Sequence, residues 1–142
     1  MVDFDRYISD AYKDLENPDY SFVRLALENN LHSEIEEKLK TIGFTVADDT
    51  EPNTDVCRTL IASADTKQFC IKLSFVGPFA AAFALTGSIS DMKEILDSLE
   101  NSGFSILENE TLLTSYNINL LDLDSDPTLY NALFSSDPIP AS

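Results

Sequence analysis

At 142 residues the chain has the length of one domain, able to bury about two-thirds of its unfolded surface, and its 44% apolar and 24% charged residues exclude a wholly disordered acidic polymer. Twenty-five acids against nine bases give a net charge of −16, which repels phosphate backbones and anionic bilayers within a Debye length and argues against nucleic acid and membranes as partners. Residues 1–55 carry −9, residues 56–86 carry +2 and residues 87–142 carry −9, so charge is withdrawn from the middle of the chain and concentrated in its flanks.

Phe4, Tyr7, Ile8, Ala11, Tyr12 and Leu15 recur at three- and four-residue steps and predict a helix over residues 3–16, stopped by Asn17-Pro18. Asp19 is the expected cap of a second helix through Glu28. After Asn29-Asn30 a third is expected, with Leu31, Ile35, Leu39 and Ile42 as its apolar seam, Glu34–Lys38 and Glu36–Lys40 as exposed pairs, and Gly43 at its end. From Val56 to Thr86 the texture turns β-branched, aromatic and small. Segments 56–63, 68–76 and 79–86, separated by Asp65-Thr66 and Gly77-Pro78, read as a three-stranded antiparallel meander. In the second of these, Phe69, Ile71, Leu73 and Phe75 alternate with Gln68, Cys70, Lys72 and Ser74, the pattern of a strand with one wet face. The third, Phe-Ala-Ala-Ala-Phe-Ala-Leu, is apolar on both sides and is expected to be central or doubly covered.

A fourth helix is expected over residues 89–101, capped by Ser88 or Ser90 and followed by Gly103. Residues 40–46 and 100–106 share one pattern, helix, glycine, phenylalanine, short strand, which reads as one connection used twice. All four glycines fall at predicted boundaries, so independent signals agree on one element map. Beyond Ile106 the pattern thins to a helix or strand around residues 111–121 and a short apolar segment over 128–134, and residues 135–142 read as a frayed tail. The whole describes a single α+β domain over residues 1–142, with N-terminal helices and a three- to five-stranded antiparallel sheet packed by helices.

No apolar run approaches the roughly 20 residues that span a bilayer. The acidic N-terminus lacks the basic and apolar segments of a secretory signal, so a cytoplasmic location is expected. With a hairpin turn at Asp65-Thr66, Cys57 faces Ser74 and Cys70 faces Ile61. The two thiols, the only ones in the chain, then lie about four residues, or roughly 13 Å, out of register and are expected to be reduced.

Residue types that carry catalysis are sparse. His32 is the only histidine, which rules out a cluster of histidine ligands, and it is expected in a surface or capping role. The glycines are isolated, so there is no phosphate-cradling loop. Asp122, Asp124 and Asp126 imitate the opening of a calcium loop, but Pro127 stands where that loop needs glycine and Leu133 where it needs glutamate. No catalytic residue, cofactor or metal is therefore expected. Three acidic groups remain as candidate partner-binding surface: Asp48, Asp49, Glu51 and Asp55; Asp91, Glu94, Asp97 and Glu100; and Asp122, Asp124 and Asp126. Each alone also reads as a solvated face. Together they favour fast capture of a basic protein, with Tyr116, Tyr130 and Phe134 as candidate anchors that are equally readable as core.

The stretch Leu73-Ser-Phe-Val-Gly-Pro-Phe-Ala-Ala-Ala-Phe83 is similar to a Leu-Gly-Pro-Tyr/Phe stretch seen in several immunity families. With its size, acidity and helices-then-meander order, the chain resembles, over residues 30–107, the immunity proteins of contact-dependent inhibition and polymorphic toxin systems. That resemblance implies a cytoplasmic protein without catalytic activity that holds one cognate toxin domain, and it carries over no interface residues. The chain's acidity points to a basic toxin domain, such as a nuclease whose groove must hold phosphates. A monomer is expected. The alternative is an acidic secretion chaperone, which the type III class resembles in size, charge and helix-strand order. It would be a dimer holding an effector segment, but the N-terminal helical material departs from that class. An acidic enzyme using a carboxylate pair ranks last.

Overall fold

A computed structural model of the chain describes residues 3–140 other than Asp122 and Asp124. Helix α1 (Phe4–Tyr12) is capped by Asp3, whose carboxylate accepts from the Arg6 N–H, and it buries Ile8 and Tyr12. It ends a turn earlier than its apolar stripe predicts. Lys13 adopts φ 69°, and the Asp14 carboxylate draws the Glu16 and Asn17 N–H groups into a turn of its own. Helix α2 (Ser21–Glu28) follows a similar local bond from the Ser21 N–H to Asp19. Helix α3 (Glu34–Thr41) starts later than expected, because Asn30 and His32 take positive φ, and Leu31 is left 41% exposed, outside the seam of Ile35 and Leu39. Glu36–Lys40 forms at 3.7 Å, whereas Lys38 turns away from Glu34 and donates to the Ser102 hydroxyl at 2.7 Å.

The sheet runs in the order β1 (Thr45–Asp48), β2 (Cys57–Ala64), β3 (Lys67–Ser74), β4 (Phe79–Thr86), β5 (Ser105–Ile106). Strands β2, β3 and β4 form the expected three-stranded antiparallel meander, β1 adds a fourth antiparallel strand beside β2, and the pairing of Cys57 with Ser74 and Cys70 with Ile61 is the predicted register. Both cysteines are free and buried. The fifth strand departs from an all-antiparallel sheet: it pairs parallel to β4, because a 3-10 turn (Ile89–Met92) and helix α4 (Lys93–Asn101) carry the chain back across the sheet before it re-enters. A capping box between Ser88 and Asp91 starts this crossover. Gly43 and Gly103, at φ 108° and 97°, close α3 and α4 in the left-handed conformation that only glycine adopts freely, which explains the repeated pattern.

The expectation of a wet face on β3 does not hold. Cys70, Lys72 and Ser74 are 4%, 5% and 0% exposed, and the sheet is covered on both sides. One side packs Leu60, Phe69, Ile71, Leu73 and Ala80 against Ile35 and Leu39 of α3 and Ile95 and Leu99 of α4. The other packs Cys57, Cys70, Ala81 and Phe83 against Ile8, Tyr12 and Val23 of the N-terminal helices and against α6 (Leu129–Leu133). Each fully buried large side chain contributes roughly 1.5–3 kcal/mol by leaving water. The expected feature over residues 111–121 is short helix α5 (Asn109–Leu112) followed by irregular chain.

At five residues α6 is too short to stand alone, and the fold completes it from outside. Thr128 and Asn131 form a capping box at its start. The Ala132 and Leu133 carbonyls, orphaned at its end, accept the hydroxyls of Tyr12 and Ser74 at 2.6 Å each. The tail expected to fray from Ser135 is held at first: Ser135 is buried in a bridge to Asp55, and the Ser136 N–H donates to the Thr54 carbonyl at 3.0 Å.

Candidate functional site

Two of the nine cations, Arg58 and Lys72, are buried, and each holds a carboxylate beside the loop that leads into β2. Arg58 Nη1 donates to Asp48 Oδ2 at 2.6 Å and its Nε to the Leu31 carbonyl at 2.9 Å. Partial burial opposes ionisation of Asp48, but the Thr50 and Arg58 bonds outweigh it and hold the carboxyl below its usual range. On the other side of the sheet Lys72 Nζ donates to the Thr59 hydroxyl at 3.0 Å and lies 3.7 Å from Asp55 Oδ1. Asp55 Oδ2 accepts from the Thr59 hydroxyl at 2.8 Å and the Glu51 N–H at 3.0 Å. Cys57 Sγ sits 3.5 Å from the same hydroxyl. Its thiol is pushed up to about 12, chiefly by burial, and burial likewise raises Cys70. Neither offers a thiolate for nucleophilic work near neutral pH. The Tyr130 hydroxyl, above this patch, is the one fully buried side-chain polar atom without a partner among the described residues.

Through Asp55 this network reaches an open groove of about 460 Å³. Val23 and Leu27 of α2 form one wall, Pro52 to Val56 the opposite one, and Leu120 and Leu121 a third. Buried Tyr12, Asp55 and Val56 make the floor. Leu121, 67% exposed, stands at the rim with the pair Arg24–Glu28, whose charged atoms are 3.9 Å apart in water. That pair is worth well under about 1 kcal/mol. The Tyr20 hydroxyl, also lining the groove, accepts from the Leu121 N–H at 3.1 Å and fixes the rim. Asp137 adjoins it, accepting from the Thr54 hydroxyl at 3.2 Å. The groove is thus an apolar slot with carboxylates at its mouth and floor, a shape suited to a side chain or small ligand of mixed character.

The candidate residues read from sequence divide by location. Asp49, Glu51, Glu94, Asp97, Glu100 and Asp126 are exposed, and Asp97 pairs with Lys93 at 3.0 Å. Asp91 is half-buried and held by Lys67 at 2.9 Å and by Ser88. These hydrogen bonds, Lys67's first, lower its carboxyl to about 2. Asp55 is a correction: at 4% exposure it is a buried member of the network and no part of an exposed acidic loop. Tyr130 and Phe134, at 1% and 0%, are core and cannot act as surface anchors. Tyr116 is half-buried and donates to Asp5 at 2.7 Å. Asp122 and Asp124 lie outside the described residues. His32 is corrected from surface to half-buried: its Nε2 lies 2.9 Å from the Ser74 carbonyl and its ring sits between Phe75 and Phe104.

Sequence reasoning missed the groove, because its walls come from residues about 25, 55 and 120 and no local pattern joins them. It also missed Arg58 and Lys72, although two bases inside apolar strands were a readable signal that buried carboxylates must face them. Among the described residues no group of three or more His, Cys, Asp or Glu side chains could hold a metal ion, and no helix is long and apolar enough to cross a membrane. Comparison with protein-family models, with curated proteins and with solved structures finds no match for this chain.

Proposed function

We propose that the chain is an immunity protein: a cytoplasmic, non-catalytic monomer that binds one basic toxin domain, a nuclease foremost, and blocks its activity. The observation that carries this reading is an apolar groove edged by carboxylates on a surface that keeps seven of the nine cations while nearly all the acids face water. Crowded acids repel one another and cost stability, and rapid capture of a basic partner is the return on that cost. A nuclease must hold phosphates, so its substrate groove is positive. An acidic protein is steered to it by Coulomb attraction, while the apolar slot supplies the slow dissociation that charge alone does not.

The test is recovery of the tagged chain from its native host, with mass spectrometry and light scattering of the eluted complex. The expected result is a one-to-one complex with a basic domain whose toxic activity the chain abolishes, with association slowing as salt rises and dissociation nearly unchanged. A dimer of the chain holding the disordered end of a secreted effector would establish a chaperone instead. Failure to recover any stable protein partner overturns both.

A further inference from the structure

We infer that the groove between α2 and the loop before β2 is the seat of one arginine side chain presented by the protein partner, an inference that rests on the reading of the chain as a binder of a basic protein. An arginine has two parts, three methylenes that are content against apolar surface and a planar guanidinium that seeks carboxylates. The groove has matching parts in matching order. Val23, Leu27 and Leu121 offer apolar wall to the stem.

Two carboxylates line the same cavity for the head: Glu28 at the mouth, 63% exposed, and Asp55 at the floor. Asp55 is the better receptor. Its Oδ2 is saturated by Thr59 and the Glu51 N–H, but Oδ1 accepts no hydrogen bond among the described residues and has only the looser contact with Lys72 at 3.7 Å. Because Lys72 is already committed to the Thr59 hydroxyl, a guanidinium N–H can take Oδ1 without displacing it. Asp55 then bridges two cations, which the surrounding net charge of −16 tolerates. Arg24, an exposed cation of the lining, meets Glu28 in a weak contact at 3.9 Å, so an incoming guanidinium can replace it there.

The test uses the full chain, isotope-labelled, titrated with the blocked peptide acetyl-Gly-Arg-Gly-amide and with its citrulline counterpart, which is isosteric and uncharged. The arginine peptide is expected to shift the amide signals of Val23, Leu27, Val56 and Leu121 selectively and to bind about tenfold more tightly than the citrulline peptide, since the difference is a charge-assisted contact. Asp55→Asn should bring the two peptides to within about twofold of one another. Should that variant not fold, Glu28→Gln, an exposed substitution, should still weaken the arginine peptide about threefold and leave the citrulline peptide unchanged. Equal binding of both peptides, or shifts centred on the Glu94, Asp97 and Glu100 helix face, overturns the assignment. Recovery of a basic toxin partner whose interface leaves these amides unchanged would sink the groove and keep the immunity reading, whereas arginine-selective shifts with no recoverable partner would do the reverse.

Discussion

The two faces of the sheet are built on different principles. Toward α3 and α4 the core is apolar, from Leu60 and Ile71 to Ile95 and Leu99, with polar contacts at its margins, Arg58 with Asp48 and Lys38 with Ser102. Toward α1, α2 and α6 the strands present Thr59, Lys72 and Ser74 among the apolar side chains, and short helices and irregular chain must satisfy them. The first face is held by area removed from water, which tolerates small errors of position. The second buries a large apolar cluster as well, but adds to it hydrogen bonds and one ion pair, which do not. The groove opens on the second face, with Asp55 of that network in its lining.

Removing Lys72 is the sharpest way to break this contrast. Lys72→Ala leaves the Asp55 carboxylate buried without its counter-charge and is expected to cost about 3–5 kcal/mol in urea unfolding. Adding Asp55→Asn should recover part of that loss, because the orphaned charge is removed with it. On the apolar face Leu99→Ala is expected to cost about 3 kcal/mol through lost burial and the cavity left behind, equally at low and high salt. If the Lys72 variant were the milder of the two, the polar face would not be the more demanding one. Tyr12→Phe comes next: it removes the 2.6 Å bond to the Ala132 carbonyl at the end of α6 and should cost about 1–2 kcal/mol, with the loss in hydrogen-exchange protection concentrated in residues 129–135.

The apolar face was legible in the sequence and the polar face was not, for one physical reason. Helix and strand periodicities report which side of a local element avoids water, so Ile35 and Leu39, Ile95 and Leu99, and Phe69, Ile71 and Leu73 of β3 fell where their spacing placed them, whereas Phe75, just past the strand, joins the opposite cluster. Turn chemistry at Asp65-Thr66 fixed the β2–β3 register to the residue, whereas the β3–β4 pairing has a register shift at Gln68–Phe69 that no local signal announced. Lys72 and Ser74 read as wet because they are polar, and a buried lysine looks like an exposed one until its carboxylate is placed. That carboxylate, Asp55, stands in a loop that reads as an acidic surface run. The cover over both, residues 4–28 and 129–134, is brought there by contacts of high sequence separation, such as Tyr12 to Ala132 and Ser74 to Leu133, which no periodicity encodes. Tyr130 and Phe134 were open between anchor and core for the same reason: an aromatic residue suits either, and only the position of α6 against Phe83 decides.

His32 lies where the first helices join the sheet, and it yields the smallest of the expected effects. Its Nε2 faces the Ser74 carbonyl, which can only accept, so the ring carries its proton there and protonation adds a second at Nδ1 without breaking that bond. Burial between Phe75 and Phe104 disfavours the charged ring and lowers its pKa below the ordinary 6.5, the Ser74 bond opposing only in part. The unfolded chain therefore takes up the proton first as pH falls, and the folded state loses stability from about pH 6.5 down to the lowered value, below which the His32 contribution is constant. His32→Asn, which tolerates the positive φ at this position, should flatten the stability profile across that window while leaving the acid limb set by Asp48 and Asp91 in place. Urea midpoints measured at half-unit pH steps would show it. A profile that keeps its slope near pH 6 in the variant would mean that another group titrates there, and that the aromatic cage around His32 does not resist its charge.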